Sequence, residues 1–176
     1  MILEGERIRL RPATREDLPA YIRWHTDPEF RRYMGIGVEL FQAVVSPPWD
    51  EAVFSTETNE GRLIGFVMIA RIRNVVRNCE LVDVGIGEKD CWDQGYGTEM
   101  VKLALRYCFR ELGMHQVRIV TSAWNERAQR CYGRIFPHRA VHRDRAWEPQ
   151  EGRFWDEIYF DILEEEFAAL ETQAST

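Results

Sequence analysis

From Glu6 to Arg11 charged and apolar side chains alternate, Arg7, Arg9 and Arg11 against Ile8 and Leu10, which predicts a first strand ended by Pro12. Thr14-Arg15-Glu16-Asp17 has the form of a capping box with Asp replacing the longer Glu. It opens a helix whose Leu18, Tyr21, Ile22 and His25 make one stripe. Asp27-Pro28 stops that helix, and 29–34 offers another short helical turn. Between 35 and 50 no period is readable, and Ser46-Pro47-Pro48 is loop. Runs 53–58 and 62–72 are strand-like and joined by a hairpin connection at Asn59-Glu60-Gly61.

The second half repeats strand, loop and helix. Run 81–87 is a strand whose end, Val84-Gly85-Ile86-Gly87, carries little bulk. A loop over 88–97 leads to a helix over 98–112, with Val101, Ala104, Leu105, Cys108 and Leu112 on its buried face and Gly113 closing it. Strand 117–122 follows, then a helix capped by Asn125 with Ala128, Cys131, Tyr132 and Ile135 on one stripe, ended by Pro137. Strands 138–147 and 153–163 and an acidic helical tail, 164–176, finish the chain. The order β, α, α, β, β, β, α, β, α, β, β indicates an α/β domain with a mixed sheet, and no linker divides 1–176.

With 176 residues, 45% of them hydrophobic, the chain has apolar mass for a real core. No run approaches the ~20 apolar residues of a membrane span and the first residues are no secretory signal, so the expectation is cytoplasmic, with no membrane partner. Cys79, Cys91, Cys108 and Cys131 contain no CxxC pair, which argues for buried thiols and against a metal site. Cys131, His138 and His142 are a poor metal set because Pro137 breaks the helix their spacing needs. Net charge is −6, against a nucleic-acid partner, but its distribution is uneven: −4 over 1–60, +5 over 61–153 and −7 beyond. A basic middle between acidic flanks suits an anionic ligand at the centre and a cationic substrate at the edge.

The chemistry concentrates in the loop before the central helix. Gly95 and Gly97 expose backbone N–H groups at a helix head, where the dipole favours phosphate. No P-loop is present, and Met100 stands where a dinucleotide fingerprint needs its third Gly.

Trp92-Asp93-Gln94-Gly95-Tyr96-Gly97-Thr98-Glu99 resembles the pyrophosphate loop of the GNAT N-acetyltransferases. It resembles most the branch of ribosomal-protein N-terminal acetyltransferases, where Trp-Gly-Lys-Gly-Tyr-Gly/Ala-Thr-Glu-Ala is common. Asn125 through Tyr132 resembles that family's Asn-x-x-Ala-x-x-x-Tyr motif. Arg143-Asp144 with 151–156 resembles its C-terminal hairpin, and Leu10-Arg11-Pro12, Asp17-Leu18, Trp24 and Asp27-Pro28 its N-terminal segment. The resemblance implies a GNAT-like α/β (α+β) fold, a mixed, mostly antiparallel sheet of about seven strands flanked by about four helices. It implies acetyl-CoA as co-substrate, held by backbone N–H groups from Asp93, Gln94, Gly95, Tyr96, Gly97 and Thr98. Gly85, Ile86 and Gly87 would pair with the pantetheine arm, and small side chains there would let it approach. Asn125 would bond the pantetheine or the adjoining strand end, and Arg130 or Arg134 would meet the adenosine 3′-phosphate.

The implied reaction is acetyl transfer to a primary amine, a protein N-terminus or a small molecule, by direct attack in a ternary complex. It needs a neutral amine, a stabilised oxyanion and a proton for the leaving thiolate. Tyr132 matches the family's proton donor, although its stripe alone would make it core. Relatives often carry a Glu base where this chain has Val82. Glu80 and Asp83 flank it, and strict alternation keeps Glu80 on the family's face, favouring Glu80 as base through water with Asp83 in reserve. After Tyr132 the family's Glu-Lys-x-Gly-Phe is replaced by Gly133-Arg134-Ile135-Phe136-Pro137. These two departures support a second reading, a GNAT-shaped module that binds CoA or a partner without catalysis. Monomer and homodimer are both compatible with the resemblance.

Overall fold

The computed structural model describes residues 1–34, 37–148 and 151–174. Its strands are β1 (Leu3–Glu4), β2 (Ile8–Pro12), β3 (Ala52–Thr58), β4 (Leu63–Arg73), β5 (Asn78–Ile86), β6 (Gln116–Ser122), β7 (His138–Glu148) and β8 (Arg153–Leu163). Its helices are α1 (Leu18–Thr26), α2 (Pro28–Met34), α3 (Val38–Val45), α4 (Tyr96–Arg106), α5 (Glu126–Tyr132) and α6 (Glu164–Ala174). One sheet runs β1-β2-β3-β4-β5-β6-β8-β7, antiparallel except where β5 meets β6.

The fold class is the expected one, with one strand and one helix more in the body of the domain. β1 has two residues, pairing Leu3 with Leu10 and Glu4 with Arg9, too few for alternation to appear. α3 lies in the stretch 35–50 that carried no readable period. The prolines that marked loop, Pro47 and Pro48, lie beyond its last residue. Its Leu40, Ala43 and Val44 are buried. Residues 35 and 36 of that stretch, and 175 and 176 of the acidic tail, lie outside the described residues.

The two faces of the sheet carry separate cores. Tyr21, Trp24, Phe30, Leu40 and Val44 from α1–α3 cover Phe66, Met68 and Ala70. Met100, Val101, Ala104 and Leu105 of α4, with Tyr132 and Phe167, cover Ile8, Ile69, Leu81, Val117 and Ile119 on the other. Each such side chain taken fully from water contributes about 1.5–3 kcal/mol. The expected capping box is present at Thr14, where the Asp17 carboxylate accepts from the Thr14 N–H at 2.9 Å; it opens a 3-10 turn, Arg15–Asp17, and the helix proper begins at Leu18. Past Arg106 the α4 helix widens into a π-helical turn, Tyr107–Glu111.

Candidate functional site

β5 and β6 share four register pairs, from Asn78–Gln116 to Leu81–Ile119, and then part. A cleft of about 370 Å³ occupies the fork. Residues 82–86 of β5, Val120 and Thr121 of β6, Phe30, Tyr33 and Met34 of α2, the loop before α4 and one side of α5 line it.

The β5 wall contains a bulge. Met68 faces Asp83 and Ile69 faces Leu81, so Val82 is an extra residue on β5. Residues opposite one another on antiparallel strands share a face, and Phe66–Gly85, Met68–Asp83 and Ala70–Glu80 are such pairs. Asp83 therefore does not turn away from the face of Glu80, as strict alternation requires; the bulge returns it. Asp83 lines the cleft together with Tyr132, whereas Glu80 does not. Burial, and secondly the Glu39 carboxylate, raise the Asp83 pKa to about 6. Burial likewise raises the Tyr132 pKa above the ordinary tyrosine value and keeps it a phenol. Tyr132 also packs edge-on to Phe136 and Phe160, so it is core and cleft wall at once.

Glu80 is 6% exposed and is clamped between the Arg71 and Arg118 guanidinium groups. It lines a second cavity, with Asp50, Arg73, Glu157 and Tyr159, which meets the cleft only at Val82 and Val120. Both of its oxygens are thus taken by arginine donors, and it stands outside the cleft that holds Tyr132.

Gly85 lines the cleft and Gly87 does not. The protein by itself already requires their lack of a side chain. A Cβ on Gly87 would sit 1.9 Å from the Trp24 ring, and one on Gly85 3.1 Å from Phe30 and Phe66. Part of the strand end is already occupied, because the Trp92 indole N–H donates to the Ile86 carbonyl at 2.6 Å.

At the loop, Gly95 stands at φ +86°, the left-handed conformation that glycine adopts without strain, and α4 starts at Tyr96. No side chain caps this helix, and the Glu99 N–H to Gly95 carbonyl bond is 3.2 Å. The amides ahead of Glu99 have no carbonyl one turn back, so they remain donors for an anion. A Cβ on Gly97 would meet nothing nearer than 4.0 Å, which leaves the approach open. Arg7 buttresses the loop from behind, donating to the Gln94 carbonyl at 2.9 Å while its ring neighbour is Tyr96. Glu99 is turned to β2, accepting from the Arg7 N–H at 2.8 Å, and so brings no free carboxylate to the helix head. Asp93, Gly95, Tyr96, Gly97 and Thr98 line the cleft; the Gln94 side chain instead folds back on the Asp90 carbonyl.

Asn125 lines the cleft, and its side-chain oxygen accepts from the Ala128 N–H at 3.1 Å, so its first task is to cap α5. Arg130 and Arg134 line the cleft, and Arg127 does so too. The i, i+3, i+7 spacing of these three arginines is legible in the sequence and would have found Arg127. The altered exit from α5 closes through Phe136 N–H to Tyr132 carbonyl at 2.9 Å, and Pro137 then leads into β7. The candidate metal set disperses: His138 pairs with Asp161 at 2.6 Å and His142 packs on the Tyr159 ring.

A family profile described as an acetyltransferase (GNAT) domain matches residues 7–135. Similar solved structures include a spermidine N-acetyltransferase from Vibrio cholerae in complex with CoA and spermine. It is 20% identical, with a TM-score of 0.77 over 93% of this chain and 99% of that one. A putative acetyltransferase is 23% identical, with a TM-score of 0.76 over 97% of this chain and 90% of that one. At these identities the likeness to both structures is one of fold.

Proposed function

The chain belongs to the family of GNAT acetyltransferases, which take acetyl-CoA as co-substrate, and on that premise we propose that the cleft moves an acetyl group onto a primary amine by direct attack. The observation that carries the mechanism is the β5 bulge, which sets Asp83 in the same cleft as Tyr132. Bound acetyl-CoA supplies an activated acyl group on sulfur. The amides before Glu99 and the α5 arginines hold its phosphates. Asp83, ionised above about pH 6, accepts the proton an ammonium sheds before its nitrogen attacks the carbonyl carbon. As the new C–N bond forms and the C–S bond breaks, Tyr132 donates its phenolic proton to the departing sulfur, and the proton lost from nitrogen restores the balance through solvent.

With Asp83 filling the role left vacant at Val82, the altered base position no longer argues for a module without catalysis. Two acceptor classes fit. One is a peptide N-terminus, as in the ribosomal-protein branch the loop resembles. The other is a small polyamine, the kind of ligand named for the Vibrio structure. The carboxylates of Asp83 and Glu39 favour an ammonium-bearing acceptor of either size.

The test is release of free thiol from acetyl-CoA against a panel of peptides with free N-termini, polyamines and neutral-bodied amines. Turnover with a cationic member supports the proposal. CoA binding with no thiol release from any amine would overturn it.

A further inference from the structure

A carboxylate stands where an anion must enter. Where the resembling loops carry Gly-Lys between Trp and Gly, this chain has Asp93-Gln94, so the loop loses one positive charge and gains one negative charge. Asp93 is exposed, lines the cleft and holds a left-handed φ of 58°. An uncompensated acid there would repel a diphosphate.

The compensation comes from α5. The Arg127 guanidinium lies 3.4 Å from the Asp93 carboxylate. It sits over the Trp92 ring at 4.5 Å from the centroid and 5.4 Å from that of Tyr33. Tyr33 in turn packs on Trp124 at 5.4 Å. These rings restrain a long side chain before any ligand arrives, so little further rotamer freedom is lost on binding. The guanidinium has more donors than one carboxylate uses, and it lines the same cleft as Gly95 and Gly97. Arg130 is differently placed, one turn on, highly exposed and 3.5 Å from Glu126 on its own helix.

Resting on the reading of the cleft as a CoA site, we propose that Arg127 is a cofactor-binding residue. It neutralises Asp93 and donates to the diphosphate, supplying the positive charge that Gln94 leaves out of the loop.

The test is equilibrium binding of CoA and of 3′-dephospho-CoA, by calorimetry, to the wild type, Arg127→Ala, Arg127→Lys and Asp93→Gly. Arg127→Ala is expected to raise Kd about 10- to 100-fold for both ligands alike, the scale of a lost hydrogen bond to a charged group. Arg127→Lys should recover part of the loss. Asp93→Gly, which removes the repelling charge and the left-handed aspartate together, should tighten both ligands by about two- to fivefold. That variant also keeps the proposal testable if Arg127→Ala does not fold, because its effect has the opposite sign. Unchanged binding of both ligands by Arg127→Ala would overturn the proposal and leave the CoA reading standing. A loss confined to CoA would assign Arg127 to the 3′-phosphate, which overturns the diphosphate role. Failure of the wild type to bind either ligand would remove the CoA reading itself.

Discussion

Arg11 grips Asp17 with two parallel hydrogen bonds, 2.8 and 2.7 Å, while its third nitrogen donates to Glu57 at 2.7 Å. Both carboxylates are buried, and Ser55 adds a 2.6 Å bond to Asp17 that passes on to the Tyr21 hydroxyl. The cluster ties β2, β3 and the start of α1 into one unit.

Arg11→Ala should therefore destabilise the fold by about 3–5 kcal/mol in urea unfolding, because two buried carboxylates lose a shared cation. Burial pushes the Asp17 and Glu57 carboxyls up, but the arginine hydrogen bonds outweigh it and hold both below the usual carboxylate range. With folded pKa values depressed, the stabilisation is present above that range and is lost as pH falls through the folded values. The gap between wild type and Arg11→Ala should shrink below about pH 4.

The rate of acetyl transfer should fall on the acid side as pH drops through about 6, where Asp83 takes up its proton. Asp83→Asn should lower kcat by about 10²- to 10⁴-fold and abolish that limb, read by thiol release across pH 5 to 8.

Glu80→Gln should behave in the opposite way. It loosens the clamp between Arg71 and Arg118, costing about 1–3 kcal/mol in thermal or urea unfolding. The acid limb of the rate profile should stay where it is. A shifted limb would return the base role to Glu80.

Tyr132→Phe removes the proposed proton donor and leaves the packing against Phe136 and Phe160 in place. A loss in kcat of about 10²-fold is expected with unchanged CoA affinity, measured by turnover and calorimetry together.

Two glycines separate architecture from ligand binding. Gly87→Ala drives a methyl into the Trp24 ring, itself 3% exposed, and should cost about 1–3 kcal/mol or more of stability. Gly95→Ala meets only the tip of Arg7 but must hold φ +86°, a strain of about 1–2 kcal/mol, and its clearer effect should be weaker CoA binding.

What the sequence made legible follows from the range of each signal. The α4 stripe, the β2 alternation and the Asn125 cap are local patterns, and each appears where the residues indicated. α3 was hidden because its eight residues lack a polar face regular enough to read and run into Ser46-Pro47-Pro48. The face of Asp83 was misread for a different reason. Alternation is a rule for regular strands, and a bulge is a property of two strands in register, written in neither β4 nor β5 alone. Gly85 and Gly87 are legible as places without bulk, but the neighbours that require it, Trp24, Phe30 and Phe66, reach them from other segments of the chain and are not.

The fork between β5 and β6 divides the sheet into a five-strand plate and a three-strand plate, joined edge to edge by four rungs. Anything seated between them acts as a wedge touching both plates, with Asp83 on one and the helix bearing Tyr132 fed from the other. The tilt between the plates thus sets the spacing of Asp83 and Tyr132, and an occupant of the wrong thickness would bind without bringing the two into step.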